Sequence, residues 1–283
     1  MTDPRPITIL FIGDITGQPA LEYLEQHLPA WLSAHPTDFV IANAENLDLQ
    51  TNARGSCGMT AISLQRLFAA GVMLVTGGNH SWDGAEGTTV HSDQRVLRPL
   101  NQSPHWPGRG SRILERNGVR LGVVNLASRT AIASIDDPAL ALEELLNDWT
   151  GQTDAVLVDF HGESVFEKIS LAFAFDGQVS AWLGTHTHVP TLDTRILPRG
   201  TAYVSDVGMT GPSGGAQGYD PASFAKRLKT QGYTLEPMRL ASGPVELGAV
   251  LVSLSGARAT GIERLTELLS GASGVRETGG KPE

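Results

Sequence analysis

The chain has 283 residues, 41% of them hydrophobic and 18% charged, with a formal net charge of −9 and a pI of about 5.4. That balance argues against a protein held on long nucleic acid by a basic surface. The single cysteine, Cys57, excludes an internal disulfide and fits a reducing compartment. The first apolar run, from Ile7 to Ile12 with Thr8 in it, is too short for a signal-peptide core or a membrane span. The expectation is a cytoplasmic protein with no membrane attachment. No long linker or repeat divides the chain, so one domain is expected over 1–270, with a loose, small-residue tail over 271–283.

In chain order, ITILFIG (7–13) reads as a short buried strand ended by glycine. A helix follows from Pro19, with Leu21, Leu24, Leu28, Trp31 and Leu32 at helical spacing. DFVIAN (38–43) is a second strand, 60–71 a helix stopped by Gly71, and VMLVTGG (72–78) a third strand. Asn117-Gly118 between two apolar-alternating runs predicts a hairpin over 112–126. A helix over 137–149 starts at Asp137 as N-cap, and DAVLVDF (154–160) is another buried strand. A helix near 163–174, the strand VSAWLG (179–184) and a hairpin over 194–206 turning at Pro198-Arg199-Gly200 come next. One helix near 221–230 and strands near 233–240 and 245–254 complete the chain. Strands alternating with helices imply α/β layers, and the hairpins imply mixed sheets.

The chemistry lies just past the strands. Asp14 follows the first, Glu45 and Asn46 the second, Asn79 and His80 the third, His161 the fourth, and His186 and His188 the fifth. In open α/β sheets, ligands bind outside the carboxyl ends of the strands. One such residue is ordinary turn chemistry; five strand ends together point to a metal site. In WLGTHTHVP (182–190), the two-residue spacing places His186 and His188 on one face of a strand. Carboxylate, amide and imidazole donors without thiolate suit Mn, Fe or Zn. Asp14, Glu45, Asn46, Asn79, His161, His186 and His188 are too many for one tetrahedral ion and fit two ions sharing a carboxylate, about 3.5–4 Å apart. Two divalent cations carry more charge than Asp14 and Glu45 cancel, so the site suits a phosphate ester.

The strings FIGD (11–14), NAEN (43–46), GGNHSWD (77–83), DFHGE (159–163), GTHTH (184–188) and DVGMTGP (206–212) resemble the YmdB-like branch of the calcineurin-like metallophosphoesterases. The match runs from about residue 7 to 265. The resemblance implies a four-layer α/β/β/α sandwich with mixed sheets. It implies that Glu45 bridges the metals, that Asp14, Asn46 and His188 complete one centre and Asn79, His161 and His186 the other, and that His80 is the acid for the leaving oxygen. It implies a bacterial phosphodiesterase acting on cyclic nucleotides, 2′,3′-cyclic ones in particular, with two divalent or mixed-valence ions, iron or manganese first and zinc as the alternative. The chain departs from the wider superfamily in lacking Asp-x-His near residue 14, in having Glu45-Asn46 in place of Gly-Asp-x-x-Asp, and in having Ser81 where Gly-Asn-His-Glu places Glu.

The expected mechanism is in-line attack on phosphorus by a metal-bridging hydroxide, with protonated His80 donating to the departing alkoxide. Asp83 is a candidate to orient His80 or, equally, a turn cap. Arg129, after a strand, is a candidate substrate contact or a solvated loop residue. Residues 52–58 are a candidate lid with Cys57 near the substrate, although an incidental small residue is the favoured reading of Cys57. DVGMTGP is expected to pack under the site, its glycines allowing close backbone approach. His27, His35, His91 and His105 are read as surface residues without partners. Trp106, near Pro104 and Pro107, is a candidate interface residue, although a single exposed aromatic needs no explanation, and a homo-oligomer is an open expectation. The expected partner is a small phosphate ester or cyclic nucleotide, without stable binding to long nucleic acid. The alternatives are a metal- and nucleotide-binding regulatory protein acting through a partner and, more weakly, a dinuclear amidohydrolase or arginase-like enzyme.

Overall fold

A computed structural model describes residues 6–49, 57–230 and 238–268. The tail 271–283, residues 52–56 of the candidate lid, and residues 233–237 of an expected strand lie outside the described residues. The strands are β1 (Ile7–Ile12), β2 (Phe39–Asn43), β3 (Leu74–Thr76), β4 (Ser111–Arg116), β5 (Val119–Ala127), β6 (Ala155–His161), β7 (Ala181–Thr185), β8 (Arg195–Ile196), β9 (Ala202–Val204), β10 (Gly211–Pro212), β11 (Val245–Glu246), β12 (Ala249–Ser255) and β13 (Arg258–Leu265). The helices are α1 (Gly17–Ala34), α2 (Ala61–Ala69), α3 (Pro138–Asp148), α4 (Val165–Ala174) and α5 (Pro221–Lys229).

Strand periodicity builds the layers. Side chains of a strand alternate between faces, and both faces of these strands are apolar. In β1, Ile9 and Phe11 enter a core shared with Leu121, Leu157, Leu183 and Val204 of the other sheet. Leu10 and Ile12, on the opposite face, pack on Leu21 and Leu24 of α1 and Leu64 and Leu67 of α2. In the second sheet Val156, Val158, Phe160 and Trp182 face outward onto Leu142 of α3 and Ala172 of α4. Two sheets therefore meet face to face with helices on both outer sides, giving the expected α/β/β/α sandwich.

The first sheet has the order β13-β12-β1-β2-β3, the second β4-β5-β6-β7-β9-β8. β1, β2 and β3 run parallel, as do β5, β6, β7 and β9, while β12, β13, β4 and β8 are antiparallel to their neighbours. The parallel strands of each sheet thus end along one edge. Both hairpins form, the first with Asn117 and Gly118 at φ 54° and 76°, as a primed turn requires. Asp137 caps α3 by accepting from Ala139 N at 2.8 Å.

β13 has no counterpart among the expected strands. It is an edge strand with exposed Arg258 and Glu263 and partly exposed Arg264, so its polar positions mask the alternation. Two histidines differ from the surface reading most clearly. His91 is 4% exposed, with Nδ1 2.8 Å from Gly87 O and its ring stacked on Trp82. His35 is half-buried and stacks on Trp31. His27 is also half-buried, against Tyr23, whereas His105 is exposed. Among the described residues, no helix is long and apolar enough to cross a membrane.

Candidate metal centre

Glu45, Asn79, His161 and His186, from four separate segments, meet around one atom. His161 Nε2 lies 3.1 Å from Glu45 Oε1, 3.0 Å from Asn79 Oδ1 and 2.9 Å from His186 Nδ1. One N–H at that position satisfies one of these acceptors; a cation among them satisfies all. The donor atoms of Glu45, His161 and His186 all lie within 4.8 Å of one another. Asp14, fully buried, accepts from the backbone N–H of His186 at 3.2 Å and lies 3.8 Å from His161 Nδ1. Beside this group, His188 Nε2 is 3.1 Å from Asn46 Oδ1, while His188 Nδ1 is 2.9 Å from Gln217 O. A backbone carbonyl can only accept, so the His188 proton sits on Nδ1 and Nε2 turns a lone pair toward the Asn46 oxygen. Two acceptors face each other there, again as for a cation.

The electrostatics agree. Burial alone would push His161 down, but Glu45 and Asp14 more than offset it and raise the ring to about 9. Burial pushes Glu45 up, yet the charges of His161 and His80 bring it below the usual carboxylate range. Burial raises Asp14, and Asp206, Glu45 and Asp159 raise it further, against the pull of His161. Burial and the charge of His161 lower His186 to about 3, and burial lowers His188. The neutral rings of His186 and His188 and the crowded carboxylates are what a divalent cation needs, and His161 must give up a proton to join them.

The loop carrying the last two candidate ligands differs from the strand-face expectation. β7 ends at Thr185, and His186 and His188 follow at φ 98° and 64°. Their rings reach different partners. Both occupy the left-handed region that ordinary residues avoid. Lys168, fully buried in α4, donates to Thr185 O at 2.8 Å and to Asp206 Oδ2 at 2.9 Å. Asp206 in turn accepts from Thr187 N at 3.1 Å and Thr187 Oγ1 at 2.8 Å. DVGMTGP thus packs under the site, and its first residue holds the ligand loop. Glu163 Oε2 lies 3.3 Å from His186 Nε2. Glycine is required at Gly78, where a Cβ would sit 2.3 Å from Glu45 Oε2 and 2.4 Å from His161 Nε2.

His80 sits at the rim. Its backbone N–H donates to Glu45 Oε2 at 3.0 Å, and its Nδ1 lies 2.8 Å from Asp83 Oδ2. The orienting reading of Asp83 therefore holds. Burial opposes the charged ring, but the Asp83 hydrogen bond and Glu45 raise its pKa above the ordinary value. Arg129 is placed elsewhere. It is exposed, 3.9 Å from Asp137, and lines a groove of about 620 Å³ beside α3 whose walls include neither His80 nor any of the candidate metal ligands. Cys57 is more than incidental: it is fully buried, 2.9 Å from the Tyr219 hydroxyl, and burial pushes its thiol up. Trp106 is 45% exposed and packs against Trp82 at 4.8 Å between ring centres.

Residues 10–265 match the model of the YmdB-like protein family. Over 262 residues the chain is 38% identical to the 2′,3′-cyclic-nucleotide 2′-phosphodiesterase of Bacillus subtilis, covering 91% of this chain and 96% of that one. The crystal structure of a phosphatase from Mycoplasma pneumoniae superposes with a TM-score of 0.82 at 31% identity, covering 92% of each chain. A hypothetical protein from Thermus thermophilus superposes equally well, with a TM-score of 0.82 at 40% identity, over 90% of this chain and 97% of that one. The Bacillus subtilis and Mycoplasma pneumoniae relatives are named for phosphoester hydrolysis. The chain belongs to the YmdB-like family of metallophosphoesterases and is a phosphoesterase.

Proposed function

We propose that the protein is a two-metal phosphodiesterase of cyclic nucleotides, with 2′,3′-cyclic substrates first among them. The observation that carries the reading is the convergence of three acceptors on His161 Nε2, with the His188–Asn46 pair beside it. Asn79, His161 and His186 would hold one ion, Asp14, Asn46 and His188 the other, and Glu45 would be shared. Bound divalent cations would supply Lewis-acid polarisation of the phosphoryl oxygens and lower the pKa of water. An all nitrogen-and-oxygen donor set suits manganese or iron, with zinc as the alternative. The substrate class follows from the Bacillus subtilis relative's name.

The chain's own part is mostly placement. Glu45 ties the metal ligands to the His80 turn through one carboxylate. Asp83 accepts a hydrogen bond from the Nδ1–H of His80 and leaves the Nε2 proton for the leaving oxygen. The lone buried thiol suits a reducing, cytoplasmic setting. Metal counting after Mn²⁺ loading, followed by hydrolysis of 2′,3′- against 3′,5′-cyclic AMP, tests the proposal. Two ions per chain and preference for the 2′,3′ ester are expected. Absence of bound metal contradicts the site; two ions without turnover favour a regulatory protein working through a partner.

A further inference from the structure

Behind His161 lies a buried carboxylate that the chemistry above does not use. Asp159 is fully buried. Its Oδ2 accepts from Thr76 Oγ1 at 2.5 Å and from Asn43 Nδ2 at 3.0 Å. Its Oδ1 accepts from Thr185 Oγ1 at 2.6 Å, and Thr185 Oγ1 lies 3.0 Å from His161 Nδ1. A hydroxyl has one proton. Thr185 spends it on Asp159, so its oxygen accepts from His161 and the Nδ1 proton is held in place. Nε2, on the other side of the ring, is left to the cluster of Glu45, Asn79 and His186.

We propose that Asp159 and Thr185 are positioning residues that hold the His161 proton on Nδ1 and thereby make Nε2 a metal ligand. The inference rests on the reading of His161 as a ligand. The tautomer of a metal-binding histidine is set by the hydrogen bond its other nitrogen makes. Here that bond is relayed through a hydroxyl, so its direction depends on what stands at residue 159.

Asp159→Asn reverses the relay. The two donors at Oδ2 keep the amide oxygen on their side, and the amide NH₂ then faces Thr185. Thr185 accepts from it and turns its own proton toward His161 Nδ1. The ring proton moves to Nε2 and blocks the ligand. Removing the hydroxyl as well, in Asp159→Asn/Thr185→Val, removes the misdirected donor. A role that is only electrostatic or structural predicts the opposite, because the double variant would lose at least as much as the single one.

The test is Mn²⁺ titration by calorimetry of metal-stripped wild type, Asp159→Asn, Thr185→Ser, Thr185→Val and the double variant, with circular dichroism as the check on folding. Asp159→Asn is expected to lose about 10- to 100-fold in affinity and Thr185→Val about 10-fold. Thr185→Ser should match wild type, and the double variant should bind more tightly than Asp159→Asn. Wild-type affinity in Asp159→Asn, or a double variant weaker than the single one, overturns the relay while leaving the metal site standing. A wild type without metal affinity overturns both. Should Asp159→Asn not fold, equal affinities in Thr185→Ser and Thr185→Val overturn the proposal.

Discussion

The Nδ1 atom of His80 lies 2.8 Å from Oδ2 of Asp83, three residues further along the same turn. This contact makes the ring a better-held acid. It orients the imidazole, and with Glu45 it raises the pKa against the opposing effect of burial. The protonated form is therefore present at low pH and lost as pH rises through a value above 6.5. Asp83→Asn should lower kcat by about 10- to 100-fold and move the alkaline limb of the kcat profile to lower pH. A profile unchanged in position would show that His80 is not the group titrating.

Gly78 gives a second expectation. A methyl group there would meet the Glu45 carboxylate and the His161 ring, both far inside ordinary contact. Gly78→Ala should fold, because β3 ends at Thr76 and the turn beyond it faces the site, not the core. Metal analysis should find the ions lost or much weakened. Full metal content with wild-type turnover would mean that Glu45 and His161 need not approach each other as closely as the structure places them.

The Lys168–Asp206 pair bears on stability. Both side chains are buried, and the pair fastens α4 to the loop that carries His186 and His188. Removing one partner of a buried pair leaves an uncompensated charge and costs about 3–5 kcal/mol. Lys168→Met should show that loss in urea unfolding, and Lys168→Met/Asp206→Asn should recover part of it. A loss below about 1 kcal/mol, the scale of an exposed pair, would contradict the burial.

Local pattern carried much of the fold. Every central strand of the sandwich is a short apolar run whose two faces both meet a core, and Asp14, Glu45, Asn46, Asn79, His161, His186 and His188 each follow or close such a run. What local pattern could not carry is contact between distant residues. Asp159 reads as one polar residue in an apolar strand, yet it is held by Asn43, Thr76 and Thr185 from three other strands. Lys168 reads as the solvated face of a helix, and its partner lies 38 residues away. Cys57 looks isolated because Tyr219 is 162 residues on. The spacing of His186 and His188 pointed to a strand face, but the chain leaves β7 at Thr185 and both residues follow in a loop.

Hydrolysis of a phosphodiester at this site is proposed to use His80 as the acid. The most direct measurement is turnover of 2′,3′-cyclic AMP by Mn²⁺-loaded wild type and His80→Ala, with metal content determined in both. Turnover by the wild type and a loss of about 10²- to 10⁴-fold in the variant are expected, with both ions retained. Wild-type turnover in a fully loaded His80→Ala protein, or loss of metal together with activity, would contradict this proposal.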